Sequence, residues 1–521
     1  MSNISRRQLL AGTAAMAILA GARFPVQAQE AVSRGGTIVL AELLALDSLD
    51  PQLANARART MSLVFDSLFS YRLKPGSADE LELGYELATD YQETGDTTAR
   101  MTLREGVKFH DGSDLTAEVV KWNLERARDH EKSAVQTSVA ELTGITVVDD
   151  HTLDLEFETP QPLFRLMMTT ANATNVYMVS RQAVEAMGEE AFGRKPVGSG
   201  PYKVENWLVD DRVELVAFDG HWEAGIDGLP LPYAERFTIR QMPDQSVSAL
   251  ELRAGNVHLM DPLEQDLDSL EAAGIQIHAQ PGRDAGQPSF YISSKADATT
   301  PFAHDVRLRQ ALQHAIDREA MAAALTFGRG EASYYWGWYP GVPGYDESLP
   351  RYEYNPEKAR QLLADAGHAD GAALTVKVIN RPKDLQPLEI MQAMLGEVGI
   401  TLNIETMDRT PWVEAGRTGN FEALSHGNTA LVDPLFRRET MTGSDANWAG
   451  YSNPEVDALW AEASRTGDTD ARAEIYRKIQ TILYNDAYHF IAFRAPKMLA
   501  MAPGISGIDS DYNLRYTRFT S

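Results

Sequence analysis

Two strand-like segments, Leu374 to Ile379 and Leu402 to Met407, bracket a helical segment from Leu388 to Glu397. That alternation constrains the fold more than any other feature of the chain. A chain that passes from strand to helix and back must bury a flat face against a helical stripe, which is the geometry of an α/β layer. The punctuation nearby agrees. Asn355-Pro356-Glu357 supplies an N-cap, a proline at the first helical position and an acid in the first turn. That helix is predicted to stop at Ala366-Gly367, where glycine accepts a left-handed conformation. Asn453-Pro454-Glu455 opens a later helix by the same device. From Asp305 to Leu325, residues Val306, Leu308, Ala311, Leu312, Ala315, Ile316, Met321 and Leu325 share one helical face and predict one long helix.

The N-terminal half reads as strands at Gly36 to Ala41, Thr98 to Leu103, Val213 to Phe218 and Phe237 to Arg240. Ile145 to Asp149 and Thr152 to Phe157 form a hairpin about the polar turn Asp149-Asp150-His151. Helices are expected over Met61 to Phe69, Pro160 to Leu166, Val179 to Met187 and Gln245 to Ala254. With 521 residues, two or three α/β domains with mixed sheets are expected.

The N-terminus gives an address. Ser5-Arg6-Arg7-Gln8-Leu9-Leu10 is basic, and the apolar run from Leu9 to Ala22 is too short to span a bilayer core of about 30 Å. Val26-Gln27-Ala28 then places small residues where a signal peptidase reads them. Residues 1–28 therefore read as a cleaved export signal, and the paired arginines resemble the twin-arginine type. The chain has no cysteine, which excludes a lipid anchor, disulfides, thiol catalysis and zinc–thiolate sites. A formal charge of -26 argues against nucleic acid or an anionic membrane as partner. A soluble, exported, periplasmic protein is expected, and a monomer.

Chemistry is harder to find. None of the 11 histidines forms an HxxxH or HExxH pair, and His304 and His314 lack matching carboxylates. Gly198-Ser199-Gly200 fails as a nucleophile elbow because Val197 and Pro201 stand where glycines are needed. There is no phosphate-cradling glycine loop. No catalytic residue, metal site or cofactor is predicted. His110-Asp111, which looks like a catalytic pair, reads better as a turn: Asp111-Gly112 ends an extended segment, and Thr116 caps a helix carrying Glu118 in its first turn.

The stretch from Leu103 to Val120, LREGVKFHDGSDLTAEVV, resembles the signature of extracytoplasmic solute-binding proteins of family 5. These are the peptide, nickel, opine and oligosaccharide receptors of ABC importers. The likeness continues at Leu46 to Pro51, at Pro196-Val197-Gly198-Ser199-Gly200-Pro201-Tyr202, at Val306 to Met321, and in the helices near Tyr354 and Tyr451. It implies an α/β, two-lobed periplasmic-binding-protein fold of type II, with an extra inserted domain and a hinge. The first lobe would comprise residues 29–68, 190–288 and 492–521, the accessory domain 69–189, and the second lobe 289–491. The implied function is capture of a small solute or short peptide between the lobes and its delivery to an ABC permease, without chemistry. An exported hydrolase acting on peptides or glycans is the alternative.

Two stretches bear on the ligand. Tyr334, Trp336 and Trp338 lie in the densest aromatic run, where glycine and proline mark a loop, and are expected to line the cleft. Ser425 to Pro434 would place Asn428, Thr429 and Asp433 near the ligand. The family's peptide receptors carry an aspartate four residues before the proline to meet the ligand's amine; here that position is Ala430. A buried ammonium would then lack its partner. Arg409, with Arg437 and Arg438, points instead to an acidic ligand.

Overall fold

Thr37–Glu42 alternates so that Ile38 and Leu40 are fully buried, and it runs parallel to Arg236–Gln241, whose Phe237 and Ile239 face the same core. The computed structural model describes residues 32–43, 47–54, 58–74, 77, 80–169, 175–284, 287–428, 432–508 and 513–520. Among these, one sheet has seven strands in the order Gln276–Asp284, Pro496–Met501, Leu259–Met260, Thr37–Glu42, Arg236–Gln241, Arg212–Ala217 and Tyr202–Leu208. A second has five: Ile400–Met407, Ala372–Ile379, Ala423–Asn428, Gln287–Ile292 and His489–Ile491. No described helix is long and apolar enough to cross a membrane.

A four-stranded antiparallel sheet, Ala88–Gly95, Thr98–Leu103, Thr152–Phe157 and Leu142–Asp149, packs against the helix Ala117–Asp129. Val120, Leu124 and Ala127 are buried on that helix's inner face. Its N-cap is Thr116, whose Oγ1 accepts from the Val119 amide at 3.4 Å. His110 and Asp111 are architecture. The Gly198 amide donates to His110 Nδ1 at 3.3 Å, so Nε2 carries the proton and donates to the Gly200 carbonyl at 2.9 Å. Burial pushes this imidazole down to about 4, keeping it neutral. Ser113 and Ser180 hydroxyls donate to the two Asp111 oxygens, each at 2.6 Å. Two of the sequence elements carrying the family resemblance therefore hold each other. Gly198 and Gly200 are required there: a Cβ would lie 2.1 Å from the Val64 carbonyl oxygen at the first and 2.6 Å from the Val64 carbonyl carbon at the second.

Asn355 and Asn453 cap as the sequence predicts, accepting from Lys358 and Glu455 amides at 2.9 and 3.0 Å. The single helix expected over Asp305 to Leu325 is instead two, Val306–His314 and Arg318–Leu325. Asp317 starts the second, accepting from the Ala320 amide at 2.9 Å. The break lets Arg318 turn inward, where it donates to the Ile491 and Gln313 carbonyls. Val306 lies on the exposed side, not in the core. The helix expected over Pro160 to Leu166 shrinks to the turn Phe164–Met167.

A buried ionic cluster ties the C-terminal segment to connecting segments at Asp66, Glu86 and Glu223. Arg515 reaches Glu86, Asp66 and Glu223 at 2.8, 3.0 and 3.1 Å, and Arg72 reaches Glu223 at 2.6 Å. Three carboxylates thus share two guanidiniums. Burial pushes Glu86 up to about 7 against the pull of Arg515 and Arg72, with Asp66 and Glu223 adding to the rise. Because that value lies above the ordinary 4.5, folding favours the protonated form. Its contribution is complete below pH 4.5 and disappears as pH climbs through about 7. Glu86→Gln keeps the shape and removes the charge. In urea titrations the variant is expected to match wild type at pH 4.5 and to be more stable by up to about 3 kcal/mol at pH 8.5. Equal curves at both pH values would contradict the assignment.

Candidate functional site: the crevice at the crossovers

The chain enters the second sheet where Gln276–Asp284 leads toward Gln287–Ile292, and returns where His489–Ile491 leads to Pro496–Met501. Register fixes where these crossovers leave each sheet. In the first sheet Leu259 pairs with Met501 and Met260 with Ala500, so the carboxyl direction of Leu259–Met260 points to the Pro496 end of its neighbour. Asp284 pairs with Pro496 at that same edge. In the second sheet Gln287 pairs with Asn428, the carboxyl end of Ala423–Asn428, which runs parallel to Ala372–Ile379. Both sheets therefore present the carboxyl ends of their parallel strands to the crossovers. Ligands of open α/β sheets bind outside such ends.

The second-lobe wall is built on one face of its sheet. Tyr291, His426 and His489 alternate onto the face opposite the core residues Phe290 and Phe490. Trp336 stacks on His489 with ring centroids 4.2 Å apart, and the Arg437 guanidinium sits 5.2 Å from the Trp336 ring. Glu439 lies 3.8 Å from Arg437. Burial pushes His489 down to about 3, with His426 and Arg437 adding, so the imidazole is neutral. Burial and the Glu439 charge push the Tyr291 phenol up. Trp412 meets His426 at 6.3 Å. Several polar atoms here are buried and without a protein partner: both His489 ring nitrogens, Trp412 Nε1 and Glu439 Oε2. Such atoms cost free energy in a folded protein unless something answers them.

The residues expected from sequence are only partly gathered here. Trp336 joins the wall. Tyr334 points elsewhere, its hydroxyl donating to Glu319 at 3.2 Å with Arg318 and Arg351 over its ring. Trp338, 1% exposed, packs against Trp460 at 6.5 Å. Both line a small cavity of about 20 Å³ behind Trp336, the size of one water. Arg409 opens the helix Arg409–Thr418 just past the carboxyl end of Ile400–Met407; it is exposed and makes no ion pair among the described residues. Asp433 is buried and turned inward: Tyr476 donates its hydroxyl at 2.5 Å, the Leu435 amide donates at 2.9 Å, and Arg472 lies 3.4 Å away. Burial raises its carboxyl despite these donors. The backbone of Asn428 ends its strand at the crevice, while its side chain, Thr429 and Ala430 lie outside the described residues.

The first-lobe wall escaped the sequence reading. Asp261, directly after Leu259–Met260, is bridged by Arg59 at 2.6 Å and Lys497 at 3.7 Å. His278 and Gln280 share a face of the strand that becomes the crossover. The available signal was the place of Gln280, the last residue of an alternating run and immediately before Pro281-Gly282.

Among the described residues, the contacts between the lobes include an apolar patch and an ion pair. Leu163, Leu166 and Met167 pack against Val432, Leu435 and Phe436. Near the crossovers, Arg329 Nη2 reaches Asp268 at 2.7 Å and Glu271 at 2.8 Å. Exposed ion pairs contribute little. Arg329→Ala is therefore expected to weaken solute binding only two- to fivefold, roughly what loss of a weak exposed pair allows. The deficit should vanish in 0.5 M salt. A larger, salt-insensitive loss in calorimetric titration would mean the residue does more than hold the lobes.

This architecture has known relatives. Residues 82–448 match the family described as bacterial extracellular solute-binding proteins, family 5. The chain is 30% identical over 459 residues to a glutathione-binding protein, GsiB, of Salmonella typhi, covering 84% of this chain and 85% of that one. Among solved structures, the substrate-binding protein CtaP of Listeria monocytogenes superposes with a TM-score of 0.79 at 21% identity, over 94% of this chain and 100% of that one. The binding protein DppA of Helicobacter pylori, in complex with the peptide STSA, gives 0.74 at 22% identity, over 94% and 99%. With the matched region spanning most of the sequence and a two-walled crevice at its crossovers, the chain belongs to the bacterial extracellular solute-binding proteins of family 5, which bind their substrates without chemical turnover.

Proposed function

We propose that this protein is the periplasmic receptor of an ABC importer and that its solute is a small, acidic, peptide-like molecule of the glutathione or short-peptide class. The observation that carries the ligand reading is the composition of the crevice. Neutral aromatic and imidazole groups form its floor around Trp336 and His489, Arg409 stands at its rim, and Asp433 is committed to Tyr476, Leu435 and Arg472. No carboxylate of the expected set is left to meet a ligand ammonium, whereas a guanidinium is left to meet a carboxylate; the wall's own carboxylate, Glu439, lies against Arg437 at 3.8 Å. The likeness to glutathione-binding relatives supports the same class.

In this reading residues 29–68, 190–288 and 492–521 form the first lobe, 69–189 its accessory domain, and 289–491 the second lobe. Separate hydrophobic clusters support three such units, with Tyr177, Val179, Ala183 and Val184 packing in the first-lobe cluster and Ala492 and Phe493 in the second-lobe one. Closure on the solute creates the surface that a permease recognises. Trp336, Arg409, Asn428 and Thr429 meet the solute, while Tyr334, Trp338 and Asp433 brace the loops behind them. The export signal, with Arg6 and Arg7 outside the described residues, delivers a soluble monomer to the periplasm. Calorimetry of the mature protein with glutathione, the dipeptide Met-Leu and the tetrapeptide STSA is the test. Saturable binding, tightest for the more acidic glutathione, is expected. Binding of none of the three, or turnover of any, would refute the reading.

A further inference from the structure

We infer that Gln280, on the crossover strand of the first lobe, is a specificity-determining residue that reads the peptide backbone of the solute. This rests on the solute-capture reading above and deepens it.

Gln280 is 2% exposed, and neither Oε1 nor Nε2 of its carboxamide has a hydrogen-bond partner. A buried amide with both ends unanswered is rare in a native fold, because desolvating each end is unfavourable unless a partner replaces water. Two residues earlier on the same face, His278 Nε2 is also buried and without a partner. The position of Gln280 is specific. Strand pairing with Pro496–Met501 is regular from Gln276 to Ala279, then the register shifts before Asp284. Gln280 thus stands where the strand leaves its ladder toward the second lobe, and Pro281 after it has no amide hydrogen to restore the pairing. Bulged strands of this kind re-aim side chains next to functional sites.

The chemistry selects the group. A carboxamide offers one acceptor and a two-hydrogen donor in one plane. The group that answers both is a peptide backbone: in an extended segment the N–H and C=O of one residue point to the same side, the N–H donating to Oε1 and the C=O accepting from Nε2. The nearby charges do not compete for this role, since Asp261 is bridged by both Arg59 and Lys497. The solute would then lie with its backbone at the crossover strand and its acidic end toward Arg409.

The test is a cycle on the full mature chain. The panel is glutathione, Met-Leu and STSA, together with analogues in which each amide in turn becomes an ester, which deletes the N–H donor and keeps the carbonyl. For the best-bound member, one ester is expected to weaken binding to wild type at least tenfold. The same ester should weaken binding to Gln280→Met no more than twofold, and Gln280→Met should itself bind the amide parent at least tenfold less well. If Gln280→Met binds the parent equally or more tightly, the carboxamide only penalises closure and the inference fails while solute capture stands. Equal ester penalties in wild type and variant would refute it too. If wild type binds no member of the panel, the capture reading fails first and the inference falls with it. A thermal melt of Gln280→Met identifies a variant that has not folded; Gln280→Glu, which keeps the acceptor and loses the donor, then serves as the second arm with the same expected loss.

Discussion

Arg515→Met should destabilise the protein by about 3 to 5 kcal/mol, the range for removing one partner of a buried ion pair. The side chain is replaced by an unbranched, flexible one of comparable volume, so the loss is mainly electrostatic, with no large cavity. Arg515 is the only guanidinium among the described residues that reaches Asp66, Glu86 and Glu223 together. Burial alone would raise Asp66, yet Arg515, His221, Trp222 and Ser199 hold it below its ordinary value. Glu223 is likewise held well below by Arg72, His221 and Arg515. Take Arg515 away and these carboxylates face Arg72 alone, in a region that excludes water. The sign of the pH dependence follows. A depressed carboxylate contributes stability above its unfolded pKa and loses it as pH falls through the folded value. The variant gives up that contribution, so its deficit should be largest at neutral pH and shrink as the acids protonate below pH 4. Urea unfolding at pH 7.5 and pH 3.5 would measure both. A midpoint unmoved at pH 7.5 would mean that the cluster is solvated and that Arg515 does not pin the C-terminal segment.

What the sequence could and could not convey follows a physical line. Caps, turns and alternation are local, and there the reading survives: Thr116, Asn355 and Asn453 cap, and Ala372–Ile379, Pro382–Glu397 and Ile400–Met407 form the expected strand, helix and strand. The His110-Asp111 turn is also local, but its partners, Gly198 and Gly200, lie across the fold. Where periodicity alone was used, it overreached. The face drawn from Val306 to Leu325 ignored Asp317, whose carboxylate competes for amides and starts a new helix. The site was legible only in outline. An aromatic run identifies a loop, but whether a ring meets solvent, crevice or core depends on residues far away in sequence. Trp336 found His489 and Arg437, whereas Trp338 found Trp460. Asp433 stands in a stretch that looks like a ligand loop, and its carboxylate is spent on Tyr476 and Leu435. The first-lobe wall, Arg59, Asp261, Gln280 and Lys497, is assembled from four separate segments, which no spacing rule could join.

Trp336→Ala should weaken solute binding by about 2 to 4 kcal/mol, roughly 30- to 1000-fold, the range for a buried aromatic anchor. Its ring is held between the His489 imidazole at 4.2 Å and the Arg437 guanidinium at 5.2 Å, so it enters the crevice in one orientation and with little entropy left to lose. Truncation removes the floor and releases Arg437, whose position beside Glu439 then changes too. The variant will also unfold more easily, and that alone would lower apparent affinity. Trp338→Ala separates the two effects. Trp338 is as large, fully buried against Trp460 and away from the crevice wall, so its truncation should cost about 3 to 5 kcal/mol of stability. Measured at a temperature where both variants are folded, Trp338→Ala should bind within about threefold of wild type, a fraction of one kcal/mol. Trp336→Phe should recover most of the affinity lost by Trp336→Ala, because stacking on His489 needs a ring and no indole hydrogen bond. If Trp336→Ala and Trp338→Ala lose affinity in equal measure, the aromatic loop acts only through stability and the second-lobe wall has to be sought elsewhere along the crossover edge.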